Sequence, residues 1–175
     1  MNIKKIMRVA LVAMMLLVCG GAYAQEKKTS ETFNFPKMLE LQNNPWTIDQ
    51  KLDGEEIVRR KSGIIMAFAK GAGKTDPEFT TCENHKGEEV KAVCLYPGNT
   101  LFITSDTKNI VKVEFQFVAK SKAATGKNYE MSEGEYTGNH PYVWTGKTQN
   151  FELKNLNNKG GMQITRMVVH YEDAE

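Results

Sequence analysis

The stretch NIVKVEFQFV, residues 109–118, alternates. Val111, Val113, Phe115 and Phe117 fall on one side, and Lys112, Glu114 and Gln116 on the other. Alternation with branched and aromatic residues on one side marks a strand with one buried and one wet face. A helix would repeat its apolar residues every three or four positions instead. Such a strand needs partners, and the chain supplies them. GIIMAFA (63–69) is apolar on both faces, as expected of an internal strand covered on both sides. VKAVCLY (90–96) and TLFITS (100–105) flank Pro97-Gly98-Asn99, a turn sequence. FNF (33–35), EIVRR (56–60), FTTC (79–82), NYEMS (128–132) and NFELK (150–154) are shorter strand candidates.

The last strand, GMQITRMVVHYE (161–172), changes phase. Met162 and Ile164 share one parity, whereas Met167, Val169 and Tyr171 share the other. One extra residue near Thr165–Arg166, a β-bulge, would let both sets face the same core. Only FPKMLELQNN (35–44) has a helical look, and Pro45 would stop it. Many short strands separated by Gly, Asn and Pro turns predict an all-β sandwich or barrel.

The first residues predict export. Lys4, Lys5 and Arg8 precede an apolar run from Val9 to Val18, and Ala22-Tyr23-Ala24 offers a signal-peptidase site. Residues 1–24 therefore read as a signal peptide cut between Ala24 and Gln25, with a periplasmic or extracellular product. The run falls short of the ~20 residues that a membrane-spanning helix needs. Cys19 admits a lipoprotein alternative, which Val18 before it disfavours. Residues 1–24 hold three of the 23 Lys+Arg and none of the 21 Asp+Glu, leaving 20 against 21, a net charge of −1. That balance gives no electrostatic reason to expect nucleic acid. Residues 25–30 are polar and expected to be flexible, and 31–175 fit one domain. Cys82 and Cys94 remain, and an even number in an exported chain reads as a structural disulfide.

FAKGAGKT (68–75) spells most of a phosphate-binding loop. The motif requires glycine where this chain has Phe68, and a helix where Asp76-Pro77 follows. It reads as a strand followed by a glycine-rich loop, with no nucleotide. His85, His140 and His170 are isolated, so no zinc cluster is implied, and no calcium-loop sequence occurs; calcium held by backbone carbonyls stays open. No Gly-x-Ser-x-Gly elbow exists, and the paired glutamates 55/56, 88/89 and 133/135 read as solvated turns. No cofactor or catalytic residue is implied.

The remaining feature is aromatic. Tyr136, His140, Tyr142 and Trp144 crowd a segment rich in Gly, Asn and Pro. If 141–145 is extended, Tyr142 and Trp144 point to the same side. Rings beside amide and hydroxyl donors suit stacking on sugars or peptide side chains. For Trp144 a core position is the favoured alternative; Tyr136, His140 and Tyr142 are the expected exposed ligand contacts.

Several segments in order resemble a module common in exported Bacteroidetes proteins: Lys70–Gly73, Leu95–Thr100, Ile110–Phe115, Trp144–Gly146 and Ile164–Tyr171. The resemblance covers Phe33 to the C-terminus. It implies a jelly-roll β-sandwich of eight to ten antiparallel strands, like galactose-binding and carbohydrate-binding modules, and usually non-catalytic. The cysteine pair departs from that pattern. The expected function is therefore recognition of a glycan or another surface component. A protein-interaction or envelope-assembly module is the alternative, and a glycan hydrolase is a third reading. Exposed co-facing rings favour the first, an apolar patch or open edge strand the second, and facing carboxylates in a cleft the third.

Overall fold

A computed structural model describes residues 29–40, 45–118 and 123–175. The expected signal peptide with Ala24 and Gln25, Cys19, residues 25–28 and the end of the helical stretch (41–44) lie outside the described residues. No helix among the described residues is long and apolar enough to cross a membrane.

Thirteen strands follow one another: β1 (Ser30–Asn34), β2 (Gln50–Lys51), β3 (Gly54–Arg59), β4 (Ile65–Ala69), β5 (Glu78–Glu83), β6 (Glu89–Leu95), β7 (Thr100–Thr104), β8 (Lys108–Phe117), β9 (Tyr129–Met131), β10 (Glu135–Thr137), β11 (Tyr142–Thr148), β12 (Asn150–Asn155) and β13 (Met162–Asp173). Phe35–Glu40, the described part of the helical stretch, forms a 3₁₀ helix. The count exceeds eight to ten partly because β2 and β10, two and three residues long, are too short to show a period. The expected flexible stretch ends early. Ser30 pairs with His170, and the Thr29 carbonyl accepts the Tyr171 N–H at 2.9 Å.

The strands form two antiparallel sheets. The larger runs β10-β11-β8-β13-β6-β5-β2, with β1 beside the second half of β13; the smaller runs β3-β4-β7-β12-β9. Their inner faces enclose one core. Phe68, Leu101, Ile103, Phe151 and Leu153 come from the smaller sheet, and Val113, Phe115, Ile164, Met167 and Val169 from the larger. Rings cross the gap, with Phe151 centred 6.0 Å from Phe115 and 4.8 Å from Trp144. The architecture is a β-sandwich.

The phase change in β13 is a bulge. Ile164 pairs with Phe117 but Arg166 with Gln116, so two residues of β13 face one of β8. Met162, Ile164, Met167, Val169 and Tyr171 are consequently all buried, and Arg166 is exposed. A second irregularity was not legible. His170 pairs with Lys112 and Tyr171 with Ile110, so β8 skips Val111. Ile110 takes the core place that simple alternation assigns to Val111, which is only half-buried.

The FAKGAGKT segment is structural. The Asn99 side chain, wholly buried, donates to the carbonyls of Lys70 (3.0 Å) and Thr75 (2.8 Å) and accepts the Tyr96 N–H at 2.7 Å. That ties the glycine-rich loop to the Pro97-Gly98-Asn99 turn. A Cβ on Gly73 would lie 2.7 Å from the Pro97 oxygen, so the glycine is needed for backbone to meet backbone. Asn155, also buried, extends the knot by donating to the Leu95 carbonyl at 2.6 Å.

The disulfide expectation is corrected. Cys82 and Cys94 are free thiols on the neighbouring strands β5 and β6. Cys82 pairs with Val90, and Cys94 with Glu78. Four residues of offset separate their backbones by roughly 13 Å along the strands, well beyond the ~7 Å that a bridge spans. Cys94 is enclosed, and burial pushes its thiol up to about 12.

Candidate functional site

The four aromatic residues expected to act together separate into three environments. Trp144 is wholly buried, its ring edge-on to Phe151 and its Nε1 donating to the Ser132 carbonyl at 3.1 Å. Gly146 lies against the same ring, where any side chain would collide. Trp144 and Tyr142 do share a side, pairing with Val113 and Phe115, but that side is the core. The tryptophan is therefore no surface platform. Tyr136 is half-buried; its hydroxyl donates to the Ala124 carbonyl at 2.9 Å and its ring packs edge-on to Tyr129. Burial raises the phenol above its ordinary range. Its donor is already committed to the fold.

His140 and Tyr142 remain together at the surface. Their rings stack at 6.3 Å with planes 13° apart, His140 exposed and Tyr142 half-buried. Tyr142 meets Phe117 edge-on at 5.0 Å, and Phe117 stacks on Phe115 at 5.8 Å. A chain of rings thus runs from His140 into the core. It holds the outermost pair rigidly and lowers the entropy lost when a ligand stacks there.

Beside this pair the outer face of the larger sheet holds a depression of about 320 Å³, lined by Glu114, Gln116, His140, Tyr142, Arg166 and Val168. That volume lies near the lower end of small-molecule sites. A second depression of about 410 Å³ shares Gln116 and Arg166 and continues past Asn34 and Lys91. Together they form a trough crossing β8 and β13. Alternation turns Glu114, Gln116 and Val168 outward, and the bulge does the same for Arg166. Sequence reading missed Gln116 and Arg166, although the phase break at Thr165–Arg166 pointed to the latter.

Charges in the trough are unevenly matched. Glu114 lies 2.6 Å from the Lys112 ammonium and 2.8 Å from His170 Nε2. The Lys112 hydrogen bond, with help from His170, holds its carboxyl below the usual carboxylate range. Glu89, on the rim, faces Lys91 at 3.8 Å. Among the described residues Arg166 has neither ion-pair nor hydrogen-bond partner for its side chain.

The smaller sheet carries its own depression, about 470 Å³, around Phe102, Ala67, Ala69, Thr104, Gly54 and Asp53. GIIMAFA is apolar on both faces for this reason. Its outer side lines this open depression rather than lying under another layer, which corrects the expectation of cover on both sides. Among the described residues no group of three or more His, Cys, Asp or Glu side chains is gathered as metal ligands. The chain matches no protein-family model, no curated protein and no solved structure.

Proposed function

We propose that this protein is an exported, non-catalytic β-sandwich module that binds a glycan in the trough beside His140 and Tyr142. The carrying observation is the near-parallel pair of rings bordering a depression with the free Gln116 amide and Arg166 guanidinium. A pyranose offers an apolar face to a ring and hydroxyls to its sides, and this arrangement meets both needs. Export rests on the reading of residues 1–24. The jelly-roll topology and the likeness to the Bacteroidetes module rest on motif order.

Binding to a panel of host and plant polysaccharides tests the reading. Saturable binding that weakens about tenfold in Tyr142→Ala, measured at a temperature where the variant remains folded, is expected. Absence of binding across the panel would sink it. A protein-interaction role is the second reading, favoured by the apolar depression around Phe102. Loss of partner capture in Phe102→Ala, with no glycan bound, would support it.

A further inference from the structure

We infer that the ligand of this trough is an acidic saccharide whose carboxylate is held by Arg166; the inference rests on the glycan reading above. The register places the outward side chains in rows. Asn34 on β1, Arg166 on β13 and Gln116 on β8 are direct cross-strand partners. Their backbones stand roughly 4.8 Å apart, so two neutral amides flank the guanidinium in one line of donors. No carboxylate belongs to this row.

The next row holds Thr32, Val168 and Glu114, and the one beyond holds Ser30, His170 and Lys112. Glu114 is the acid closest in register to Arg166. Its carboxylate turns instead to Lys112 and His170, in the row farther from Arg166. The other acid on the trough, Glu89, is matched by Lys91. Arg166 is thus left as an unmatched fork of donors that lines both depressions, the first of which His140 and Tyr142 also border.

A guanidinium binds a carboxylate through two parallel hydrogen bonds, which fixes orientation as well as charge. A uronic acid bound in the first depression would bring its carboxylate to Arg166 and leave hydroxyls for Gln116 and, in the adjoining depression, Asn34. The bulge at Thr165–Arg166 is the local device. One extra residue keeps Met167 and Val169 in the core while aiming the arginine outward.

The test is titration of the protein with polymers of galacturonate, of mannuronate and guluronate, and of glucuronate-containing repeats. Each is used in native form and with its carboxyls reduced to neutral hexose. At least one native polymer should bind, and its reduced form about tenfold or more weaker. Arg166→Gln should weaken the native polymer by a similar factor and the reduced form much less, and keep the melting temperature. Glu114→Gln, which removes an anion from the trough and frees the Lys112 ammonium, should tighten binding of the native polymer a fewfold. Equal binding of native and reduced forms, or an Arg166→Gln variant that binds as before, overturns the inference and leaves the glycan reading standing. Binding to no polymer of either kind overturns the inference, and the same absence across the wider polysaccharide panel overturns the glycan reading as well.

Discussion

The two outer faces of the sandwich are built by the same alternation and present different chemistry. On the larger sheet, a trough crosses β8 and β13 with an anchored ring pair at one side and an unmatched arginine in its floor. On the smaller sheet, Phe102 lies across from Ala67 on one side and Glu152 on the other, and part of the polar rim is engaged. Lys154 meets Glu130 at 3.3 Å, and the Asp53 carboxylate accepts the Lys70 N–H at 2.8 Å. The hollow around Phe102 is larger than either depression of the trough taken alone. The larger sheet has the uncommitted donors. Directional recognition of a hydroxyl-rich ligand depends on free donors and acceptors more than on volume, and a partner's apolar side chain has the opposite requirement.

The most severe way to break the comparison is to remove what both faces rest on. Trp144→Ala empties the largest fully buried side chain, beside Phe151 of the other sheet. It should cost about 3–5 kcal/mol, read as a lower denaturant midpoint, and degrade both faces together. Asn99→Ala strands the Thr75 carbonyl and the Tyr96 N–H and leaves the Lys70 carbonyl with the Gly73 N–H alone. A loss of about 2–3 kcal/mol is expected, and an unmoved unfolding curve would refute the knot.

Tyr142→Ala and Phe102→Ala then separate the faces. The first should lower glycan affinity about tenfold, whereas the second should leave it within about twofold. The reverse ranking would move the site to the smaller sheet. A further contrast lies in the thiols. Without reductant the unfolded chain should present both Cys82 and Cys94 to an alkylating agent. In the native state Cys94 should react far more slowly than Cys82, being enclosed and raised to about 12 by burial. Equal native rates would contradict the packing around Cys94.

The smallest effect concerns Glu114. Its folded-state carboxyl is held low, chiefly by the Lys112 hydrogen bond, so its contribution to stability is present above the unfolded carboxylate range. It is lost as pH falls through the lower folded value, below about pH 4. Because the carboxylate is 37% exposed, solvent screens the pair, and Glu114→Gln should flatten the acid limb of the stability curve by only a few tenths of a kcal/mol. A flat difference between variant and wild type across that range would remove the interaction.

The parts of this molecule written in residue order were legible, and those that depend on distant chain were not. Periodicity marked β8, and the phase break in β13 announced its bulge before any coordinates. Val111 misled because the second irregularity depends on how β8 meets β11 and β13, and no local pattern encodes it. The cysteine pair misled for a similar reason. Parity in number says nothing of register, and a four-residue offset on adjacent strands separates the two sulfurs. In the aromatic segment the residues were visible but their facing was not. Tyr142 and Trp144 share a side, and only the packing of Phe151 and Phe117 decides that one ring is sealed and the other open. Arg166 and Gln116 looked like ordinary surface residues. Their meaning appears only when the rows assemble.

The ends of the sheets have a consequence of their own. Two outermost strands of the larger sheet, β2 and β10, hold two and three residues. In the smaller sheet β9 has three, and β3 breaks register between Gly54 and Val58. Apart from β1, which pairs with β13 alone, such margins offer little continuous backbone for a neighbouring chain to extend. Copies anchored side by side at high density would therefore stay separate particles rather than fuse into fibres. Under the glycan reading proposed above, several copies held close together would multiply weak attachments to a repetitive polymer.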